Sequence, residues 1–284
     1  MMEKKTKTQI TNKSVNLKKL DNHLSIQISL DGFSFCIIDK NTNSVNLIKN
    51  IPFQKISSTP EKHLKNIEQV FQEEDILNKK YDSLNITHVN DLSTLVPKAL
   101  FDPKHIDRYL KYSSKTYKND YIVYDELENH DIINVYIPFV NINNILLEKY
   151  GNFEYKHFST ILVDNLLNIY KYSERPHVFV DLQSTHFEII VIANNKLVLY
   201  NSFEYVTKED FIYYVLFTAE QLKINPEKFE LVLSGKIKKN DDFYTIAYNY
   251  VRNISLLENR SKYNFSDKYN EETKRQFFTL LNQY

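Results

Sequence analysis

The sequence predicts an α/β protein built from two similar halves, and three observations support this prediction. The same series of elements, three strands, a helix and a fourth strand, occurs twice along the 284 residues. Hydrophobic residues make up 42% of the chain and include 21 Tyr and 18 Phe, enough for a large buried core. Only three residues are glycine, which excludes a glycine-rich phosphate loop of the P-loop or dinucleotide-binding kind.

The first series of elements begins after residue 20. HLSIQISL and FSFCIID predict two strands joined at Asp31-Gly32, a dipeptide typical of tight hairpin turns. VNLIKNI predicts a third strand. EKHLKNIEQVFQEEDIL then places apolar side chains at helical spacing, and LNITHV alternates as a fourth strand.

The second series begins at His177. HVFVDL, HFEIIVIA and KLVLYNSF predict three strands, KEDFIYYVLFTAEQLK predicts the helix, and FELVLS predicts the fourth strand. The two series are separated by about one domain length. We therefore predict a duplication, with a first half at 21–175, a second half at 176–284 and a boundary next to Pro176.

The remaining segments lie before, between and after these series. Residues 1–20 carry six lysines among polar residues and predict a flexible basic tail. YIVYDEL, IINVYIPF and the helical pattern VNINNILLEKY indicate an insertion in the first half near 121–150. Further helices are predicted over 160–172, in DFYTIAYNYVRN and near Glu271–Leu281, with a strand at ISLLE.

Charge and composition narrow the function and the location. The chain has 36 basic and 36 acidic residues, so no overall field favours nucleic acid as a partner. We expect neither a membrane span, which needs about 18 consecutive apolar residues, nor a secretory signal. The single cysteine, Cys36, is expected to be a packed core thiol, and the predicted location is cytoplasmic. The histidines are scattered, so no metal site is predicted.

The order of elements resembles the superfamily of actin, sugar kinases and heat-shock chaperones, whose fold is also ribonuclease-H-like. HVFVDLQSTHFEIIVIANNKLVLYNSF is similar to that superfamily's second phosphate hairpin, LSIQISLDGFSFCIID stands in the place of the first, and FELVLSGKI resembles its adenosine motif. The whole chain, including STLVPKALFD, resembles the Bacteroidetes family known as domain of unknown function 3822, a divergent member. The resemblance implies a duplicated actin-like fold in which each half is a five-stranded mixed sheet with helices.

The resemblance also implies a nucleotide cleft between the halves, which we expect to be vestigial. Phe33 replaces a hydroxyl residue at the first turn, and Gln183 and Lys236 stand where the superfamily keeps glycines. Gln183 and Lys236 each add a Cβ that crowds an approaching phosphate, and Phe33 removes a hydroxyl group that could contact it. Turn and capping roles by themselves explain both aspartates of the turns. The candidate cleft residues are Asp31, Gly32, Asp181, Ser184, Thr185, Ser234, Gly235 and Lys236.

The function predicted from these departures is that of a degenerate actin-like pseudo-ATPase without catalytic residues or cofactor. It would act as a scaffold or regulator through contacts with an unidentified protein partner, on an exposed aromatic or apolar surface. The alternative is a divergent active ATPase that uses Asp181 with Mg-ATP, so whether the protein is an enzyme stays open. A nucleic-acid-binding relative of ribonuclease H ranks last, because its chemistry needs several converging carboxylates and only Asp31 and Asp181 suggest themselves.

Overall fold

The computed structural model describes residues 21–111, 113–117 and 119–283, and the predicted basic tail at 1–20 lies outside them. The strands are β1 (Asn22–Ser29), β2 (Gly32–Asp39), β3 (Ser44–Pro52), β4 (Ser83–Val89), β5 (Ser93–Pro97), β6 (Val123–Leu127), β7 (Ile132–Tyr136), β8 (Glu154–His157), β9 (His177–Leu182), β10 (His186–Ala193), β11 (Lys196–Glu204), β12 (Glu230–Gly235), β13 (Asn253–Leu256) and β14 (Asn264–Phe265). The α-helices are α1 (Pro60–Glu73), α2 (Asp107–Leu110), α3 (Val140–Tyr150), α4 (Phe158–Ile169), α5 (Lys208–Gln221), α6 (Asp242–Tyr250), α7 (Glu271–Gln276) and α8 (Phe278–Leu281).

These strands form three sheets. The first sheet has the order β14-β3-β2-β1-β4-β8, the second sheet has the order β11-β10-β9-β12-β13, and a small sheet has the order β5-β7-β6. In both large sheets the first three strands in chain order form an antiparallel meander. A fourth strand pairs in parallel with the first strand of the meander, and a fifth strand pairs in parallel with the fourth. Both meanders carry a bulge at the matching place, between Ile37 and Ile38 and between Val191 and Ile192.

The first sheet has one strand more than the five that were predicted. Asn264 and Phe265, near the C-terminus, pair in parallel with Ser44 and Val45 at the edge of β3. A two-residue strand has no periodicity, so its pairing is decided by tertiary contact rather than by a sequence pattern. The predicted boundary next to Pro176 falls just before β9, but β14 brings part of the second half back onto the first sheet.

Helices cover both faces of each large sheet. α1 begins where the Thr59 side chain accepts a hydrogen bond from the Lys62 N–H, with Pro60 in the first turn. α1 and α3 bury their apolar faces on the first sheet, and α5 and α6 bury theirs on the second sheet. α5 begins at a capping box made by Thr207 and Asp210.

α4 and α8 lie between the two large sheets. α4 packs against Phe179, Ile190 and Val232 of the second sheet. In α8, Phe278 joins the same cluster, whereas Leu280 packs with Cys36 of the first sheet, which is buried as predicted. The terminal helix predicted near Glu271–Leu281 is divided into α7 and α8 at Phe277, so that α8 reaches the first sheet.

The small sheet differs from the predicted insertion near 121–150 at both ends. It begins earlier, because β5 pairs antiparallel with β7 and so joins this sheet. It also ends earlier, because α3 buries Ile142 and Leu146 in the core of the first sheet. α2, in the segment HIDRYLKYS, has only four residues.

A membrane-spanning helix is absent from the described part of the chain, where no helix combines enough length with enough hydropathy. The cytoplasmic location stays a prediction.

Candidate functional site

A cleft of about 670 Å³ lies between the two large sheets. One wall is the tip of the β1–β2 hairpin together with the end of β4, a second wall is β5 of the small sheet, and the third is formed by β10 and β11. Of the eight residues predicted to form the vestigial nucleotide site, Asp31 and Thr185 line this cleft from opposite sides. The other six are not among the residues that line it.

Polar groups at the tip of the β1–β2 hairpin are hydrogen-bonded within the hairpin and to the segment that follows β3. The two turn residues are Leu30 and Asp31, because Gly32 already pairs with Ser29 as the first residue of β2. The turn therefore lies one residue before the predicted Asp31-Gly32 turn, and Gly32 does not adopt a positive φ. The Ser29 hydroxyl donates to Asp31 Oδ1 (2.6 Å), and the Asp31 carbonyl accepts from the Phe53 N–H (2.8 Å).

Asp181 lies beneath the cleft rather than in its lining. The side chain is only 4% exposed and accepts a hydrogen bond of 2.5 Å from Gln183 Nε2. Ser234 is its neighbour on β12. Burial raises the pKa of Asp181 to about 6, because the charged form is poorly solvated there. Asp181, which the active-ATPase alternative needs, is thus enclosed. Its hydrogen-bond donor is Gln183, the residue that was expected to stand in place of a glycine.

The remaining predicted residues join β12 to the second hairpin. Lys236 Nζ donates to the Ser184 hydroxyl (2.6 Å), and the Lys236 N–H donates to the Leu182 carbonyl (2.7 Å). Gly235 has a φ of +77°, and a Cβ at this position would lie 2.3 Å from the Leu182 carbonyl oxygen. This close approach between β12 and β9 is a structural reason for a glycine that needs no nucleotide.

Glu188 is a cleft residue that the sequence analysis missed. It lies on β10, directly opposite Asp181 in the antiparallel pair, and it is 5% exposed. Its Oε2 has no hydrogen-bond partner, and Oε1 is 3.8 Å from His186 Nε2. Burial raises the pKa of Glu188 to about 8 and the nearby charge of Asp181 acts in the same direction, whereas hydrogen bonding from Tyr200 and Ser202 of β11 acts against the shift. The signal was available, since Glu188 is the one charged residue inside the apolar run FEIIVIA.

The cleft is acidic. None of the described residues that line it is Lys or Arg, and burial lowers the pKa of its histidine. No group of three or more His, Cys, Asp or Glu side chains within the described residues is arranged to hold a metal ion. The titratable residues of the lining are Asp31, Asp91, His186, Glu188 and Glu204.

The paired sheets and the cleft between them define the class of the protein. It has a mixed α/β fold of the actin-like ATPase class. The chain belongs to the family described as protein of unknown function (DUF3822), whose sequence profile matches residues 11–254. The resemblance to domain of unknown function 3822 that was read from the sequence is therefore confirmed.

Solved structures support the same fold. A Bacteroides thetaiotaomicron protein with an actin-like ATPase fold and unknown function is 23% identical, with a TM-score of 0.76 over 86% of this chain and 94% of that one. A PilM–PilN type IV pilus biogenesis complex matches with 12% identity and a TM-score of 0.58, over 92% of this chain and 96% of the matched chain. No curated protein sequence matches the chain.

Proposed function

We propose that this protein is a degenerate, duplicated actin-like pseudo-ATPase that binds a protein partner and does not hydrolyse ATP. The observation that carries the proposal is the acidity of the cleft, where three carboxyl side chains besides the buried Glu188, and no described Lys or Arg, line the wall. A triphosphate carries several negative charges, and two like charges about 4 Å apart near a protein surface repel each other by about 4 kcal/mol. Without a cationic side chain or a metal cluster to offset this repulsion, a nucleotide gains little from entering.

The turns support the same proposal. Phosphate cradles use several backbone N–H groups that converge on the anion. Here the Gln183 N–H donates to the His186 carbonyl (2.9 Å), and the Lys236 N–H donates to the Leu182 carbonyl. The Lys236 ammonium, the cation best placed to compensate, donates to Ser184.

A duplicated origin accounts for the pseudo-symmetry of the fold. The two large sheets share five strands in the same order, with the same parallel and antiparallel pairs and a bulge at the same place in the second strand. Descent from an actin-like ancestor explains why two similar halves enclose a cleft even though its phosphate chemistry has been lost.

A protein partner fits a fold that keeps a large cleft. A chain of similar fold occurs in a PilM–PilN type IV pilus biogenesis complex. By this analogy the present chain acts as a scaffold or regulator.

Calorimetry with Mg-ATP tests the loss of nucleotide binding. We expect no binding to the wild-type protein at nucleotide concentrations up to about 1 mM, which corresponds to a free energy weaker than about −4 kcal/mol. The Asp181→Ala variant serves as the comparison. Micromolar binding by the wild type that is lost in Asp181→Ala would overturn the proposal in favour of a divergent Mg-ATP-dependent ATPase.

A further inference from the structure

Two walls of the cleft are the edges of strands. β11 is the outermost strand of the second sheet, and β5 is the outermost strand of the small sheet. All five residues of β5 and the consecutive residues 197–202 of β11 line the cleft. Successive side chains of a strand point to opposite faces, so a cavity on one face contacts alternate residues only. Contact with consecutive residues therefore places the cavity against the edge itself.

The edge of β11 is suited to pairing. Within the described residues β11 pairs only with β10, so its other side presents backbone groups to the cleft; one of them, the Ser202 N–H, donates to Asn201 Oδ1 (3.0 Å), a bond that an added strand has to replace. The bulge at Val198 interrupts the start of the strand, but from Leu199 to Glu204 the register with β10 is regular. β5 is less suited, because Pro97 at its end has no N–H to donate.

The chemistry of the cleft selects the kind of segment that fits. Three carboxyl side chains line it besides Glu188, whose Oε2 is buried with no donor within hydrogen-bond distance, although the hydroxyls of Tyr200 and Ser202 interact with the same carboxyl group. A buried polar atom of this kind is costly unless something supplies a donor. The lining also includes three apolar side chains that are unusually exposed for their type, Leu30 at 37%, Ile56 at 56% and Val198 at 49%. An apolar segment with one basic side chain complements both features.

We propose that the cleft binds an extended segment of a protein partner, which adds to the edge of β11 as a further strand and places a Lys or Arg side chain at Glu188. The inference rests on the proposed protein-binding function and specifies the chemistry of the partner. Backbone hydrogen bonds to β11 supply affinity, and the alternate side chains supply specificity.

The register of β11 fixes where the basic residue lies. Ser202 is directly opposite Glu188 in the β10–β11 pair, so the two side chains share one face of the second sheet. A residue of the added strand opposite Ser202 lies two strand spacings from Glu188, about 4.8 Å each. Because the Ser202 side chain is small, a long Lys or Arg side chain reaches over it to Glu188 Oε2, whereas a short polar side chain does not.

Fluorescence anisotropy with synthetic peptides and the full chain tests this inference. The probe is a labelled ten-residue peptide of alternating Thr and Val with one central Lys, and its partner peptide has norleucine in place of the Lys. At pH 9, above the pKa of Glu188, we expect the Lys peptide to bind about tenfold more tightly, as for a charge-assisted hydrogen bond of about 1.5 kcal/mol. The Glu188→Gln variant should bind both peptides equally, whereas Glu220→Gln, an exposed position on α5, should keep the preference.

Backbone methylation separates strand addition from simple charge attraction. Methylating the N–H groups at one set of alternate positions in the Lys peptide should abolish binding, and methylating the other set should leave it within about twofold, because only one set faces β11. Equal effects of the two sets would overturn strand addition, and so would a preference for Lys that persists in Glu188→Gln. If sedimentation shows a dimer that the peptide does not disrupt, a second copy of the chain occupies the edge of β11. That result would overturn the proposal of a segment from a partner protein.

Failure of this inference is distinguishable from failure of the proposed function. If neither peptide nor Mg-ATP binds, only the inference is lost. If Mg-ATP binds with micromolar affinity and displaces the peptide, the cleft is a nucleotide site and both are lost.

Discussion

Gly235 and Gly151 separate two reasons for which a residue must be glycine. Both have positive φ, +77° and +78°, but a Cβ at Gly235 meets the backbone of Leu182, whereas at Gly151 nothing lies within 4 Å. Gly151→Ala should lower the free energy of unfolding by about 1–3 kcal/mol through backbone strain alone. Gly235→Ala should lower it by about 1–3 kcal/mol more, because β12 must move away from β9. Chemical denaturation of both variants measures the difference, and equal losses would show that the contact with Leu182 is relaxed easily.

Glu188 gives the stability of the protein a specific pH dependence. Burial raises its pKa from about 4.5 to about 8, so the folded state holds this proton more tightly than the unfolded state does. The stabilisation of the folded state by this proton is fully present below about pH 4.5 and is lost as the pH rises to about 8. Between pH 5 and pH 9 the free energy of unfolding of the wild type should fall, relative to that of Glu188→Gln, by roughly 2–5 kcal/mol. Urea unfolding of the wild type, of Glu188→Gln and of the control Glu220→Gln at both pH values measures this shift. An equal change in all three proteins would contradict the prediction.

At the scale of elements, α8 is the short helix that connects the two large sheets. Thr279 Oγ1 donates to Gln27 Oε1 of β1 (2.8 Å), while Phe278 packs in the cluster that includes Phe179 of β9. Its sequence, FTLL, is too short to predict as a separate helix. The position between the sheets is therefore a result of packing on both sides.

Truncation of one α8 side chain should destabilise the whole chain. Leu280 is fully buried against the first sheet, so Leu280→Ala should lower the free energy of unfolding by about 2–5 kcal/mol. Leu147→Ala on α3, where the side chain is half exposed, should cost less than about 1 kcal/mol. Because α8 packs on both sheets, thermal unfolding of Leu280→Ala should remain one transition at a lower temperature. Two separate transitions would show that the sheets unfold independently.

At the scale of the whole molecule, the distribution of charge matters more than its sum. The chain has no net charge, yet the described lining of the cleft carries acidic side chains and no Lys or Arg. Asp31, Asp91 and Glu204 come from three different segments and meet only because two sheets and the small sheet surround one space. The expected failure of Mg-ATP to bind and the proposed preference for a basic segment both follow from this convergence.

The sequence by itself determined the two meanders, the helix after each and the strand that follows. β1 and β10 are short apolar segments buried on both faces, and the helical spacing of apolar residues marks the buried faces of α1 and α5, so each of these elements has a local sequence pattern. The resemblance carried by these segments also predicted the family and the actin-like class, and both are confirmed.

The tertiary structure alone decided what the cleft is made of. β5, β8 and β14 were not predicted from the sequence, and they become strands because a partner strand lies beside them. Glu188 could be recognised as unusual in the sequence, but its pairing with Asp181 and its place beside the open edge of β11 depend on the register of three strands. Register and sheet order are long-range properties, so no local segment contains the information that makes this cleft acidic and leaves one of its edges unpaired.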